Sequence, residues 1–211
     1  AKNYVALARE QVALGDMAQV ARVCSEGLQL HSDCAELRRL AERSVQLERE
    51  ARAQTLQEEL SVSPRPAVWR EMCQLMLDMG KIDRADKIAH DWYRTTKDGE
   101  SLYFRGLAHA EHFYNDRRAE QGQLAHDLAR EAQKLNESDP RPIQLQLEIA
   151  TRAGAWQESR RLLARLLELM PGDPSLEGRF RAVHARCDKS KDLVRGLVDV
   201  DLHVKAVSSN G

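Results

Sequence analysis

The sequence predicts an all-α protein built from helical hairpins, and three observations carry that prediction. The 211 residues include only 11 Gly and 5% aromatic side chains, and the abundant Ala, Leu, Glu, Gln and Arg are good helix formers. Apolar residues recur at helical spacing along most of the chain. Glycine falls at the same place in three helix–turn–helix segments, where it accepts the left-handed backbone that ends a helix and lets two helices approach.

The elements follow in order. A first hairpin over 1–33 places Tyr4, Leu7, Ala8 and Val12 on one helical face, then Gly15-Asp16, then Met17, Val20, Ala21, Val23, Cys24 and Leu28. From 35 to 60 there is no Gly or Pro, and Leu37, Leu40, Leu47, Ala51, Leu56 and Leu60 form a narrow stripe among Arg and Glu. That stretch predicts one long, mostly solvated linking helix, halted where Pro64 and Pro66 forbid its continuation. A second glycine hairpin spans 64–97, with Trp69, Met72, Cys73 and Met76 before Gly80-Lys81 and Ile82, Ala85, Ile88, Ala89 and Trp92 after it. Turn glycines 15, 80 and 154 lie 65 and 74 residues apart, which leaves room for one imperfect unit in each gap. In the second gap, 99–138 reads as a hairpin whose join over 117–122 is several residues too long, either a lengthened helix or a loop. The third glycine hairpin spans 140–171, with Ile143, Leu147 and Ala150 before Gly154-Ala155 and Trp156, Leu162, Leu163, Leu166 and Leu167 after it. Residues 174–187 predict a capping helix whose Leu176, Phe180 and Val183 face the last hairpin.

This layout resembles the tetratricopeptide repeat (TPR), a helix–turn–helix unit of about 34 residues with an aromatic, a small pair, Ala, an aromatic and Pro at set spacings. Tyr4, Leu7 and Ala8 hold the first-helix signature, Trp69 and Ala85 match in the second glycine hairpin, and Leu147, Gly154 and Pro171 match in the third. The departures are as specific. Val20 and Gly27 stand where the family prefers Ala, Cys24 where it prefers an aromatic, Ser32 where it prefers Pro and Ser159 where it prefers Ala. Trp92 replaces a small residue, which implies looser or shifted packing. The resemblance implies a right-handed α-superhelix over 1–187, acting as a non-catalytic protein–protein interaction scaffold or adaptor that takes a peptide or protein on its concave face. Stacked first helices line that face, and counting from the turn glycines assigns it Val5, Arg9, Val12, Arg70, Gln74, Leu77, Tyr103, Ala110, Gln144, Glu148 and Thr151. The Lys-and-Asn clamp by which chaperone-binding members grip a terminal carboxylate is missing from the first helix, so no cochaperone role is expected.

Chemistry-bearing patterns are sparse. Basic and acidic side chains number 32 and 33, a formal net charge of −1, so no overall field selects nucleic acid or an anionic membrane. The locally basic stretch 177–195 lacks the interleaved aromatics that stack bases. No apolar run is long enough to span a membrane. Cys24, Cys34, Cys73 and Cys187 form no C-x-x-C pair, which predicts reduced thiols in a cytoplasmic setting, with a Cys24–Cys34 bridge as the minor alternative. His109 and His112 are three apart, and His126 follows on the next helix. A zincin helix instead places its histidines four apart with a Glu beside the first. No nucleophile elbow, phosphate-cradling loop or dinucleotide fingerprint occurs, so no catalytic residue, cofactor or metal is expected.

The C-terminal extension 188–211 departs from the helical period. In "VDVDLHVKAV" apolar residues alternate with polar ones, which predicts a short strand over 198–206, with a helix continuing the spacing of Val194, Leu197 and Val198 as the alternative. A lone strand cannot satisfy its own backbone, which leaves disorder, pairing with a strand of another chain, or service as the first strand of a further domain. Assembly through the long helix or this strand, giving a homo-oligomer, is therefore the second functional reading, and an RNA-binding helical repeat is ranked below it. The chain opens on "AKNYVALARE" in helical register and without an initiator Met, as a segment whose true N-terminus lies upstream would, so a targeting signal or anchor there stays open.

Overall fold

The computed structural model describes residues 1–187. These form α1 (Lys2–Leu14), α2 (Met17–Leu30), α3 (Ala35–Val62), α4 (Pro66–Asp78), α5 (Ile82–Thr96), α6 (Gly99–Asp116), α7 (Ala119–Leu135), α8 (Pro140–Arg152) and α9 (Trp156–Leu169). A final helix, α10, runs over 174–187. No strand occurs among the described residues, and the segment 198–206 lies outside them. The chain divides into two compact units, Ala1–Trp92 and the part from Tyr93 onward, where the sequence reading drew one repeat domain over 1–187. The division falls inside α5.

The first unit begins with the α1–α2 hairpin. Gly15 at φ 77° ends α1, and the Gly15 and Asp16 amides donate back to the carbonyls of Val12 and Gln11. Asp16 then caps α2 by accepting from the Gln19 amide at 3.0 Å. The turns at Gly80 (φ 68°) and Gly154 (φ 73°) repeat this geometry, with Gly80 and Lys81 donating to Leu77 and Met76, and Gly154 and Ala155 to Thr151 and Ala150. These six-to-one and five-to-two bonds satisfy carbonyls that a helix end would otherwise strand. Val5, Ala8, Val20, Val23, Cys24 and Leu37 form the core where α1, α2 and the start of α3 meet. Gly27 is the close approach in that core. A Cβ there would lie 2.7 Å from Leu37 Cδ1 and 3.0 Å from Tyr4 Cβ, so the Ala that the repeat pattern prefers does not fit.

Helix α3 extends to Val62 before the two prolines. Most of the helix faces solvent, and its narrow stripe is what packs: Leu37, Leu56 and Leu60 are buried, Leu40 and Leu47 half-buried and Ala51 exposed, while Ala53, outside the stripe, is also buried. Arg52 ties α3 to α4 through Glu71 at 2.6 Å, and Arg49 donates to the Asp78 carbonyl at 3.1 Å. Val68, Met72, Cys73 and Met76 are the buried positions of α4, and Ala85, Ile88, Ala89 and Trp92 those of α5. Trp92 is fully buried, so of the looser or shifted packing expected there the position shows no loosening that exposes the ring. The indole is accommodated as a core side chain rather than excluded by the small-residue position it occupies.

In the unit from Tyr93 onward, α6 and α7 are joined by Arg117 and Arg118 alone, with Arg117 at φ 55°. The extra length resides in the helices, 18 and 17 residues, and not in a loop over 117–122. Helix α8 serves two cores. Leu145 and Ile149 pack with Ala110, Ala125 and Ala129 of α6 and α7. Ile143, Leu147 and Ala150 pack with Leu162, Leu163 and Leu166 of α9 and with Leu176, Val183 and Cys187 of α10. Trp156 joins that second core and carries the Arg186 guanidinium 4.6 Å over its ring. Aspartates cap α6 and α8, with Asp98 accepting from the Ser101 amide and Asp139 from the Arg141 amide, a favourable placement of carboxylates at helix N-termini.

Candidate interaction face

Helices α6 and α8 lie in contact in the unit from Tyr93 onward and carry two arginine–tyrosine pairs. Near their N-termini, the Arg141 guanidinium sits 5.3 Å over the Tyr103 ring. Arg141 is fixed there by Asp139 at 2.7 Å and Glu100 at 2.9 Å. Burial raises the proton affinity of Asp139, but the hydrogen bonds from Arg141 outweigh it and hold the carboxyl below its ordinary range. Near the C-termini, Arg152 lies 3.6 Å over the ring of Tyr114. Burial, with the Glu148 carboxylate beside it, pushes the Tyr114 phenol up to about 12, so it is neutral at physiological pH. Burial likewise raises the Tyr103 phenol. Two half-buried tyrosines, each faced by an arginine, thus bracket Gln144, Glu148 and Thr151.

The positions assigned from the sequence fare unevenly. In this unit Tyr103 and Gln144 are half-buried, Glu148 is exposed, and Thr151 shares a 3.4 Å contact with Ser159 Oγ. Ala110 is a correction: it is buried against Ala125, Ala129, Leu145 and Ile149, because α7 and α8 both close on that side of α6. In the first unit Val5 is likewise a core residue and Val12 packs half-buried against the same core, since the start of α3 covers that side of α1. Arg9 is exposed and ion-pairs with Glu36 of α3. Gln74 donates to Asp78 at 2.8 Å, Leu77 is half-buried, and Arg70 is exposed. Tyr114, Arg141 and Arg152 were missed. A signal existed: Tyr114 lies 11 residues after Tyr103 and Arg152 lies 11 after Arg141, which is three helical turns and so the same face of each helix.

The histidines are dispersed among local partners. His109 Nδ1 is 2.6 Å from Gln121 Oε1, and His112 Nδ1 is 4.0 Å from Asp116. No group of three or more His, Cys, Asp or Glu able to hold a metal ion occurs among the described residues. The four cysteines are free thiols, and burial raises the Cys24 thiol, with Cys34 nearby adding to the rise. No helix of the described residues is long and apolar enough to cross a membrane.

No family model matches the sequence, and no curated protein matches it. Solved structures do match the fold. A thermophilic TPR protein of Thermus thermophilus superposes with a TM-score of 0.54 at 16% identity, covering 87% of this chain and 98% of its own. A tetratricopeptide repeat protein of Parabacteroides merdae gives 0.52 at 15% identity, covering 90% and 75%. The first TPR of Spaghetti (RPAP3), solved bound to the HSP90 peptide SRMEEVD, gives 0.50 at 16% identity, covering 58% and 94%. At such identities the likeness is one of fold, and together with the three glycine turns of like φ and hydrogen bonding it makes this chain an all-α protein of TPR-like helical hairpins.

Proposed function

We propose that the chain is a non-catalytic scaffold that binds a peptide or protein segment, and that the α6–α8 face is a principal docking surface. The observation that carries this reading is the pair of arginine-faced tyrosines, Tyr103 with Arg141 and Tyr114 with Arg152, around Gln144, Glu148 and Thr151. Tyrosine and arginine are the side chains that most often dominate binding energy at protein interfaces, and both offer large contact area with a polar end. The two are already held in place, Arg141 by two carboxylates and Tyr114 by its packing, so less rotamer entropy is lost on docking. Arg152 has no carboxylate partner among the described residues, which leaves its guanidinium free to receive an acceptor from the bound segment.

One fold neighbour was solved with a peptide, which supports peptide docking on this kind of hairpin array. The test is a capture of partners from lysate by the purified chain, followed by the same capture with Tyr114→Ala and with Arg152→Glu. Each substitution is expected to cost about tenfold or more in affinity for the captured partner, as for a central interface residue, with the helical circular dichroism unchanged. Undiminished binding by both variants would remove the α6–α8 face as the docking surface.

A further inference from the structure

A groove of about 390 Å³ opens between the first turns of α7 and α9, with small residues, Gly122 from α7 and Ala153 and Ala155 from the α8–α9 turn, standing where larger ones would fill it. Phe113, Ile149 and Ala150 supply apolar lining, and the volume falls within the ordinary range of ligand sites, about 300–1,000 Å³. The charged groups of the lining are already satisfied within the chain: Glu158 pairs with Arg161 at 2.6 Å, and Arg130 with Asp127 at 2.9 Å. A charged ligand therefore finds no unpaired partner in it. What the groove leaves open is apolar area and one polar atom. His126 Nε2 is buried without a hydrogen-bond partner among the described residues, and Glu158 Oε1, at 3.9 Å, is too far to supply one. An aliphatic side chain with a backbone amide or carbonyl beside it would meet both needs, since a buried polar atom left unbonded costs free energy.

The place where the described residues end selects the segment that supplies them. Helix α10 brings its C-terminus back to the α8–α9 turn. The Arg186 guanidinium lies 4.6 Å over the ring of Trp156, the residue after Ala155 of the groove. Cys187 is buried in the same core as Ala150 of the groove lining. The chain therefore leaves α10 beside the groove. Leu193 follows Cys187 by six residues, a stretch that spans about 20 Å when extended. Leu193 and Leu197, and likewise Val194 and Val198, are four apart, and 188–198 carries three basic against two acidic side chains. The segment thus brings clustered aliphatic side chains at little net charge, which is what a groove with paired charges accepts. A tether this short also holds it at an effective concentration on the order of millimolar, an advantage that no separate peptide of the same composition has.

We infer that the chain's own segment 193–198 docks in the α7–α9 groove, with a leucine of that segment on Phe113, Ile149 and Ala150 and a backbone group against His126 Nε2. The contact fastens the start of the extension 188–211 to the last hairpins and leaves the α6–α8 face, which shares no residue with the groove lining, to partners. The test is nuclear magnetic resonance of the full 211-residue chain with labelled Leu and Val methyl groups. The expected result is nuclear Overhauser contacts from the Leu193 or Leu197 methyls to the Phe113 ring. These are expected to be lost in Ala153→Leu and in Ala155→Leu, which fill the groove from exposed turn positions without altering helicity. Joint substitution Leu193→Ser and Leu197→Ser is expected to shift the amides of Gly122, Gln123, Ala153 and Ala155 and to leave those of Tyr103 and Tyr114 in place. Absence of the contacts, contacts to Trp156 or Phe180 in their stead, or contacts that survive both filling variants overturns the docking. Contacts found only between labelled and unlabelled chains in a mixed sample put a second copy in the groove and overturn docking within one chain.

Discussion

Arg117 shows how one residue can hide a turn from sequence reading. It adopts φ 55° at the end of α6, the conformation that Gly15, Gly80 and Gly154 supply elsewhere. Without a glycine to mark it, the hairpin reads as a long join. A non-glycine residue pays about 1 kcal/mol for this backbone region, partly offset by the larger unfolded-state entropy of glycine. Arg117→Gly is therefore expected to stabilise the chain by some tenths up to about 1 kcal/mol, read as a rise in the urea midpoint at unchanged slope. His126 makes a second expectation at this scale. Burial outweighs the pull of Glu158 and Asp127, and Arg130 and Arg161 oppose protonation further, so the folded pKa lies below its unfolded value. The unfolded chain then binds more protons in the window between the two values, so stability is full above about pH 6.5 and declines as pH falls through it. Urea unfolding of the wild-type chain and His126→Gln across that window checks this. The variant is expected to lose less stability on acidification, and parallel profiles would refute it.

At the scale of elements, the legible features were those that consecutive residues encode. The end of α3 was visible because Pro64 and Pro66 cannot continue a helix, and its length because nothing from Ala35 to Leu60 breaks one. What covers the α3 stripe was not legible, because Leu37 is buried by α1 and α2, whose approach the helix's own residues do not encode. Gly27 belongs here as well. On propensity alone, Gly27→Ala inside α2 should gain about 1 kcal/mol. The 3.0 Å approach to Tyr4 Cβ leaves no room for the methyl without moving α1, and such overpacking costs about 1–3 kcal/mol. Net destabilisation is the expected outcome in thermal or urea unfolding, and a more stable variant would show that α1 and α3 can retreat at no cost. The buried ends of the α3 stripe also weaken the reading in which that helix serves mainly to join copies of the chain, since those leucines are already occupied.

At the scale of the molecule, balanced charge and an array of hairpins suit a binding scaffold whose specificity lies in local surface chemistry. The scaffold reading expects light scattering to give the mass of one chain, unchanged when residues 196–211 are removed. A drop in mass on truncation would favour assembly through the C-terminal segment instead.

The sequence by itself determined that the chain is helical, where three hairpins turn, and that the hairpins are TPR-like. These follow from the 3.6-residue apolar period and from the left-handed backbone that glycine favours, both properties of neighbouring residues. Only the tertiary structure decided that Val5 and Ala110 lie in cores, that Trp92 is fully enclosed, and that the chain separates at Trp92 into two compact units. It alone set Arg141 over Tyr103 and Arg152 over Tyr114, and opened the groove between α7 and α9. Each of these depends on which helices meet across tens of residues of chain, and a helix's own period says which residues share a face but not what will cover it.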